Sequence, residues 1–242
     1  MKRSLLLFAG LCLIMCLSLA QNKKNAETPL IGSEAPAFTA ISTHGTLNFP
    51  NDFGDFWKIL LSHPKDFTPV CSSELLELAH QQKEYKELGA KLIVVSTDKL
   101  DSHLHWKAAL EEISYKGLDP VKINFPLVDD HQYVISKSYG MIHSQASLEE
   151  NIRGVFIIDP DNKVRAIYFY PMEVGRNMEE LKRTLIALQT NYRNQMALTP
   201  ANWQPGEDVM VPFLKDEELA ELGNVDSKVY QKAWFMSYTT EY

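Results

Sequence analysis

The chain has 242 residues, 45% of them apolar, with 31 acidic against 24 basic side chains and a net charge of −7. That length and apolar content suit one large domain or a domain with an appendage, and no internal repeat or low-complexity segment points to an array or a disordered tail. The acidic balance, with no clustered basic patch, excludes the electrostatic footprint of a nucleic-acid binder.

At the N-terminus, Lys2 and Arg3 precede an apolar stretch from Leu5 to Leu19. This stretch is too short for a comfortable membrane span. Ser18-Leu19-Ala20 supplies the small residues that signal peptidase needs, so residues 1–20 read as a signal peptide with Gln21 as the new first residue. A retained membrane anchor is the alternative. Leu13-Ile14-Met15-Cys16 also faintly resembles a bacterial lipoprotein cleavage site, although Met15 stands where a small residue belongs, which keeps lipid anchoring at Cys16 open. The expected location is periplasmic or secreted, with no stable membrane span after cleavage. Cleavage leaves 222 residues with a net charge of −9, because the removed piece carries Lys2 and Arg3 and no acid. It also removes Cys12 and Cys16 and leaves Cys71 alone. A single cysteine in an exported chain is no disulfide framework, and a reactive thiol is the natural suspicion. Any disulfide formed in turnover must then involve another molecule.

Ile59-Leu60-Leu61 reads as a buried strand, and the amphipathic run from Cys71 to Leu88, closed by Gly89, reads as a helix. Between them lies Ser62-His63-Pro64-Lys65-Asp66-Phe67-Thr68-Pro69-Val70. Thr68 suits the N-cap and Pro69 the first helical position, which puts Cys71 in the first turn. Free N–H groups and the positive end of the helix dipole favour an anion there, and such a setting lowers a thiol pKa from about 8.5 toward neutrality. Most free cysteines are inert buried hydrophobes. The polar neighbours of Cys71, and the fixed path imposed by Pro64 and Pro69, do not describe a core position.

Lys91 to Thr97 is a β-branched strand that completes a strand–helix–strand unit. Lys99 to Tyr115 reads as a helix closed by Gly117, Phe125 to Asp129 as a short strand and turn, and Tyr133 to Tyr139 as a helix before Gly140. Arg153–Ile158 and Val164–Tyr170 are strands joined by the turn Asp159-Pro160-Asp161-Asn162. Asn177 with Glu180 forms a capping box opening a helix to about Tyr192. After Met196 the texture changes. Thr199 to Gly206 is a turn-rich linker, and Val209–Pro212 and Val229–Thr239 are candidate short strands around a helix from Asp216 to Leu222. The aromatics Trp203, Tyr230, Trp234, Phe235 and Tyr238 argue that this tail buries something. The seven histidines show no metal-site spacing, because His103 and His105 would point to different faces of a helix and the rest are scattered. No metal and no cofactor is expected.

Pro64-x-x-x-Thr68-x-x-Cys71 resembles the active-site signature of peroxiredoxins, and His63-Pro64-x-Asp66-Phe67-Thr68-Pro69-Val70-Cys71-x-x-Glu74-Leu75 is similar to the one-cysteine, peroxiredoxin-6 subgroup. The likeness runs from about Ile31 to the C-terminal region. It implies an α/β fold, thioredoxin-like and elaborated as in peroxiredoxins, over residues 31–196, and a small α+β C-terminal extension over residues 197–242. It further implies a homodimer or higher homo-oligomer, with the extension packed over the active site and the partner subunit. The implied activity is thiol-dependent reduction of hydrogen peroxide and organic hydroperoxides through a sulfenic acid at Cys71, recycled by an external thiol. Thr68 would bond the sulfur region and the peroxide, and Pro64 would shield the thiolate from water. Arg153, in a segment similar to the one carrying the family's active-site arginine, would favour the thiolate and donate to the peroxide. Arg176 matches a second arginine that supports the pocket, Glu74 a glutamate that orients both arginines, and His63 a pocket histidine.

The chain departs from the subgroup at Gly54-Asp55-Phe56-Trp57-Lys58. Relatives can carry a Gly-x-Ser-x-Gly element there that is linked to phospholipase activity. Phe56 replaces the serine, so the nucleophile of such an activity is missing. Two rival readings of the thiol stay open: a cysteine hydrolase, which would need a positioned base, and an exported thioredoxin-fold redox sensor or holdase whose thiol only signals.

Overall fold

The computed structural model describes residues 28–224 and 226–242. The expected signal peptide and its cysteines lie outside them. Among the described residues no helix is long and apolar enough to cross a membrane.

A seven-stranded mixed sheet forms the centre. Its strands are β1 (Phe38–Ser42), β2 (Gly45–Phe49), β3 (Trp57–Ser62), β4 (Ala90–Ser96), β5 (Leu127–Asp129), β6 (Arg153–Ile158) and β7 (Val164–Tyr170), in the order β2-β1-β5-β4-β3-β6-β7. β3, β4 and β5 are parallel, and β6 runs antiparallel beside β3. Side chains alternate across the sheet, so neighbours on one strand serve opposite faces. Ile59 and Leu61 join one core cluster and Leu60 the other. The first face is covered by α1 (Pro69–Glu87), α2 (Leu100–Leu110) and α4 (Met178–Arg193), which bury Leu75, Leu78, Tyr85, Trp106, Leu181 and Leu185. The second is covered by the β1–β2 hairpin and α3 (Val134–Ser138), through Phe38, Phe49, Ile135 and Tyr139. Burying apolar area on both faces, at roughly 25 cal/mol per Å2, fixes the register of β3, and with it the point at which the chain leaves the sheet toward Cys71.

The C-terminal part forms a separate antiparallel sheet, β8-β10-β9, from β8 (Val209–Val211), β9 (Val229–Ala233) and β10 (Met236–Thr239), with α5 (Asp216–Ala220) between β8 and β9. Trp203 is buried with Ala187 of α4, Ala197 and Val209, which ties the linker to the main body.

Three sequence expectations are corrected, and two elements are added. The helix expected over Lys99–Tyr115 stops at Leu110, because Glu111 accepts the Ile123 N–H at 2.9 Å and binds Lys107 and Lys122, so the chain turns back across its own end. The capping box is one-sided. Asn177 Oδ1 accepts the Glu180 N–H at 3.1 Å, while the Glu180 carboxylate is occupied by Arg183 and Thr184. The β1–β2 hairpin and a 3-10 turn at Asn51–Phe53 were not expected at all. The tail aromatics are not all covered: Tyr230 and Tyr238 stack at 5.1 Å, but Trp234 and Phe235, at the turn between β9 and β10, are 86% and 66% exposed.

Candidate active site

β3 ends at Ser62, the chain loops through His63–Phe67, and α1 begins at Pro69 with Thr68 as N-cap in extended conformation. Pro at N1 costs no hydrogen bond and presets the helical φ. Cys71 therefore lies in the first turn, as expected, but against expectation it is fully buried, within the hydrophobic cluster under α1.

Glu74 follows Cys71 at i+3, which puts both on one face of α1. That face meets the start of β6. Arg153 Nη1 lies 3.3 Å from Cys71 Sγ and donates to Glu74 Oε2 at 2.8 Å. Arg153 Nε and Nη2 both donate to the Met172 carbonyl, at 2.8 and 2.5 Å, which fixes the guanidinium plane. Arg176 precedes the cap residue of α4. Its backbone N–H and Nε donate to Glu74 Oε1 at 2.8 and 2.9 Å, its Nη2 donates to Oε2 at 2.6 Å, and its Nη1 donates to the carbonyls of Ser62 and Gly154, both at 2.9 Å. Cys71, Arg153, Glu74 and Arg176 thus form one continuous buried chain of contacts. Burial alone would push the Glu74 carboxyl up. The Arg176 charge, its hydrogen bonds and the Arg153 charge outweigh that and hold it below its ordinary value. One carboxylate between two guanidiniums leaves a net positive charge beside the sulfur.

Pro64 is buried in the loop. The Thr68 hydroxyl donates to the Lys65 carbonyl at 2.9 Å rather than to the sulfur region, and its lone pairs remain available as acceptors. Phe67 takes a left-handed backbone (φ 57), a strained conformation for a non-glycine residue costing about 1–2 kcal/mol. Asp66 holds the strained loop in place. Its carboxylate meets His63 Nε2 at 2.8 Å, His103 Nδ1 at 2.9 Å and the Ser102 hydroxyl at 2.7 Å, and its N–H donates to Asp98 at 2.9 Å.

The histidines are therefore not all scattered. His103, on α2, joins His63 through Asp66, and the three present ligand atoms within 4.8 Å of one another, all buried. Short hydrogen bonds account for the cluster. An ionised Asp66 only accepts, and so does the Val128 carbonyl 3.1 Å from His103 Nε2, so His103 donates from both nitrogens as an imidazolium. Burial lowers the His103 pKa, but the Asp66 hydrogen bond and charge more than reverse this, and the net shift is upward. His63 is driven down by burial despite the same carboxylate, and among the described residues its Nδ1 has no hydrogen-bond partner. Asp66 stands in the signature, but its partners His103 and Ser102 carry no sequence signal, because only tertiary packing brings α2 to the loop.

Residues 31–167 match the AhpC/TSA family, and residues 187–224 match the C-terminal domain of 1-Cys peroxiredoxin. The chain belongs to the peroxiredoxin family. A peroxiredoxin of Methanosarcina mazei is 48% identical over 211 residues, which cover 86% of this chain and 96% of that one. The yeast mitochondrial 1-Cys peroxiredoxin, whose thiol is resolved via glutathione/thioredoxin systems, superposes with a TM-score of 0.74 at 35% identity, over 87% of this chain and 98% of its own. A cysteine-to-serine mutant of peroxiredoxin 6 from Arenicola marina gives a TM-score of 0.74 at 32% identity, over 87% and 97%. The fold is accordingly the thioredoxin-like peroxiredoxin fold with a C-terminal extension built around a small sheet. This peroxiredoxin is a thiol-dependent peroxidase, an antioxidant oxidoreductase whose family takes a peroxide as substrate and a thiol as reductant.

Proposed function

We propose that Cys71 is the peroxidatic thiol, that Arg153 is its catalytic partner, and that Glu74 and Arg176 position Arg153. The observation that carries this reading is the 3.3 Å contact from Arg153 Nη1 to Cys71 Sγ, with the same nitrogen held by Glu74. The Cys71 thiolate attacks one peroxide oxygen, the O–O bond breaks, and the sulfur is oxidised to sulfenic acid while the departing oxygen leaves as alkoxide or hydroxide and takes a proton. The Arg153 guanidinium stabilises the thiolate and the charge that grows on the departing oxygen. Thr68 offers a hydroxyl oxygen at the helix N-terminus, Pro64 keeps water from the sulfur, and His63 lines the loop beside them. Since Cys71 is fully buried, peroxide entry requires a transient opening around it.

Recycling uses an external thiol. Among the described residues Cys71 is the only cysteine. The thiol condenses with the sulfenic acid, releasing water and forming a mixed disulfide. A second thiol then displaces Cys71 and carries away the disulfide. The glutathione/thioredoxin route of the yeast relative is the chemical precedent for such a reductant. The chain works as a homodimer or larger homo-oligomer, a reading supported by exposed Trp234 and Phe235 on the extension. Removal of residues 1–20 during export would place it in the periplasm or outside the cell, supported by the basic start, short apolar core and small residues of that segment.

The test is Arg153→Ala. Removing one preorganised donor costs about a hundredfold or more in comparable sites. The rate of Cys71 oxidation by peroxide is expected to fall by that factor, and alkylation of Cys71 to shift to higher pH. Unchanged kinetics and an unchanged alkylation profile would remove Arg153 from the mechanism.

A further inference from the structure

The ladder between β3 and β6 ends at the pair Leu61↔Val155, two residues from the arginine that reaches Cys71. Beyond that pair the Ser62 side chain continues the contact. The Ser62 hydroxyl donates to the Ile152 carbonyl at 2.7 Å and accepts the Gly154 N–H at 2.8 Å. Gly154 N–H also lies 3.0 Å from the Ile152 carbonyl, so residues 152–154 form a tight three-residue turn with Arg153 at its apex. One buried hydroxyl therefore bonds both ends of the turn that carries the active-site arginine. Ser62 also supplies the backbone carbonyl that accepts Arg176 Nη1 at 2.9 Å, and Arg176 Nη1 bridges from there to the Gly154 carbonyl. Residue 154 has little room for a side chain, since a Cβ there would meet Ser62 Oγ at 3.0 Å and Phe169 Cε1 at 3.3 Å. The missing side chain leaves the hydroxyl its space.

We propose that Ser62 is a positioning residue for the peroxidase reaction, acting through Arg153. Ser62 is fully buried at the end of β3, where a hydroxyl is tolerated only when its hydrogen bonds are satisfied. Here both are satisfied by backbone groups flanking a single side chain. An alanine at 62 keeps the strand and removes only the clamp. Arg153 would keep its contacts to Met172 and Glu74, but the backbone that aims it would be free to shift. Misplacing a reacting group by about 1 Å can cost about a hundredfold in rate.

The inference rests on Arg153 being the catalytic partner of Cys71, and the experiment separates the two. The rate of Cys71 oxidation by hydrogen peroxide and the pH profile of its alkylation are measured in Ser62→Ala, Ser62→Thr, Arg153→Ala and the Ser62→Ala/Arg153→Ala double variant, with thermal unfolding of each. Ser62→Ala is expected to oxidise about tenfold to about a hundredfold more slowly than wild type, with alkylation displaced to higher pH. Ser62→Thr, which keeps a hydroxyl, should recover most of the rate. Ser62→Ala should add little in the Arg153→Ala background, because its effect passes through the arginine. A wild-type rate in Ser62→Ala, equal losses in the alanine and threonine variants, or full additivity in the double variant would overturn the positioning role while leaving Arg153 in place. A wild-type rate in Arg153→Ala would instead overturn the reading beneath it.

Discussion

Glu74→Gln asks whether one buried carboxylate holds the active site together. Glu74 is 2% exposed and accepts from Arg176 at 2.8, 2.9 and 2.6 Å and from Arg153 at 2.8 Å. Glutamine has nearly the same volume, so packing is conserved. It removes the charge between two guanidiniums, however, and turns an NH2 toward groups that are themselves donors. Removing one partner of a buried ion pair costs about 3–5 kcal/mol, whereas an exposed pair costs about 0–1 kcal/mol. With a urea dependence of about 2 kcal/mol per M, a loss of about 4 kcal/mol lowers the unfolding midpoint by about 2 M. That is a large share of a typical total of about 5–15 kcal/mol. The loss should also depend on pH. The Glu74 carboxyl is held below its ordinary value, so the stability it contributes is present above the ordinary carboxylate range and disappears as pH falls through the lowered native value. Wild type and variant should therefore converge in acid. Urea unfolding at neutral pH and through the acid range, with peroxide kinetics alongside, provides the assay. A midpoint shift under about 0.5 M at neutral pH would show that the pairs count no more than surface pairs and refute the argument.

Asp66→Ala should leave His103 without its carboxylate and loosen the loop that carries Pro64 and Thr68. The native His103 pKa is raised, so the pair stabilises most at and below the ordinary histidine range and loses its contribution as pH rises through the elevated value. Thermal unfolding should show a deficit of about 3–5 kcal/mol near pH 6 that shrinks in alkali, and a pH-independent deficit would contradict the ion pair. Excess peroxide without thiol should stop turnover and carry Cys71 to sulfinic acid, while added thiol should sustain turnover. Many turnovers without thiol, or abundant intersubunit disulfide on non-reducing gels, would exclude the external-thiol cycle.

Local signals made the centre of this site legible. A buried apolar strand, Thr-Pro at a helix start and a cysteine in the first turn place Cys71 with no tertiary information, and all three features stand in the structure. Arg153 and Arg176 were placed at the site only by the resemblance of their segments to a known family, and the structure brings both guanidiniums to Glu74. Residues whose partners are remote were not readable. His103 meets Asp66 only through the packing of α2, Ser62 reads as the first residue of the loop until β6 lies beside it, and Glu111 ends its helix by reaching Ile123. The β1–β2 hairpin carries little sequence signal because its five-residue strands alternate weakly, and its place depends on contact with β5 and on Phe38 and Phe49 stacking at 4.9 Å.

The most direct test of Cys71 as the peroxidatic thiol is the intact mass of the protein after one equivalent of hydrogen peroxide, followed by peptide mapping. A single oxygen should be gained, located on Cys71 and reversed by a thiol, with no gain and no peroxide turnover in Cys71→Ser. Oxygen placed on another residue, or appreciable turnover by folded Cys71→Ser, would contradict that role of Cys71.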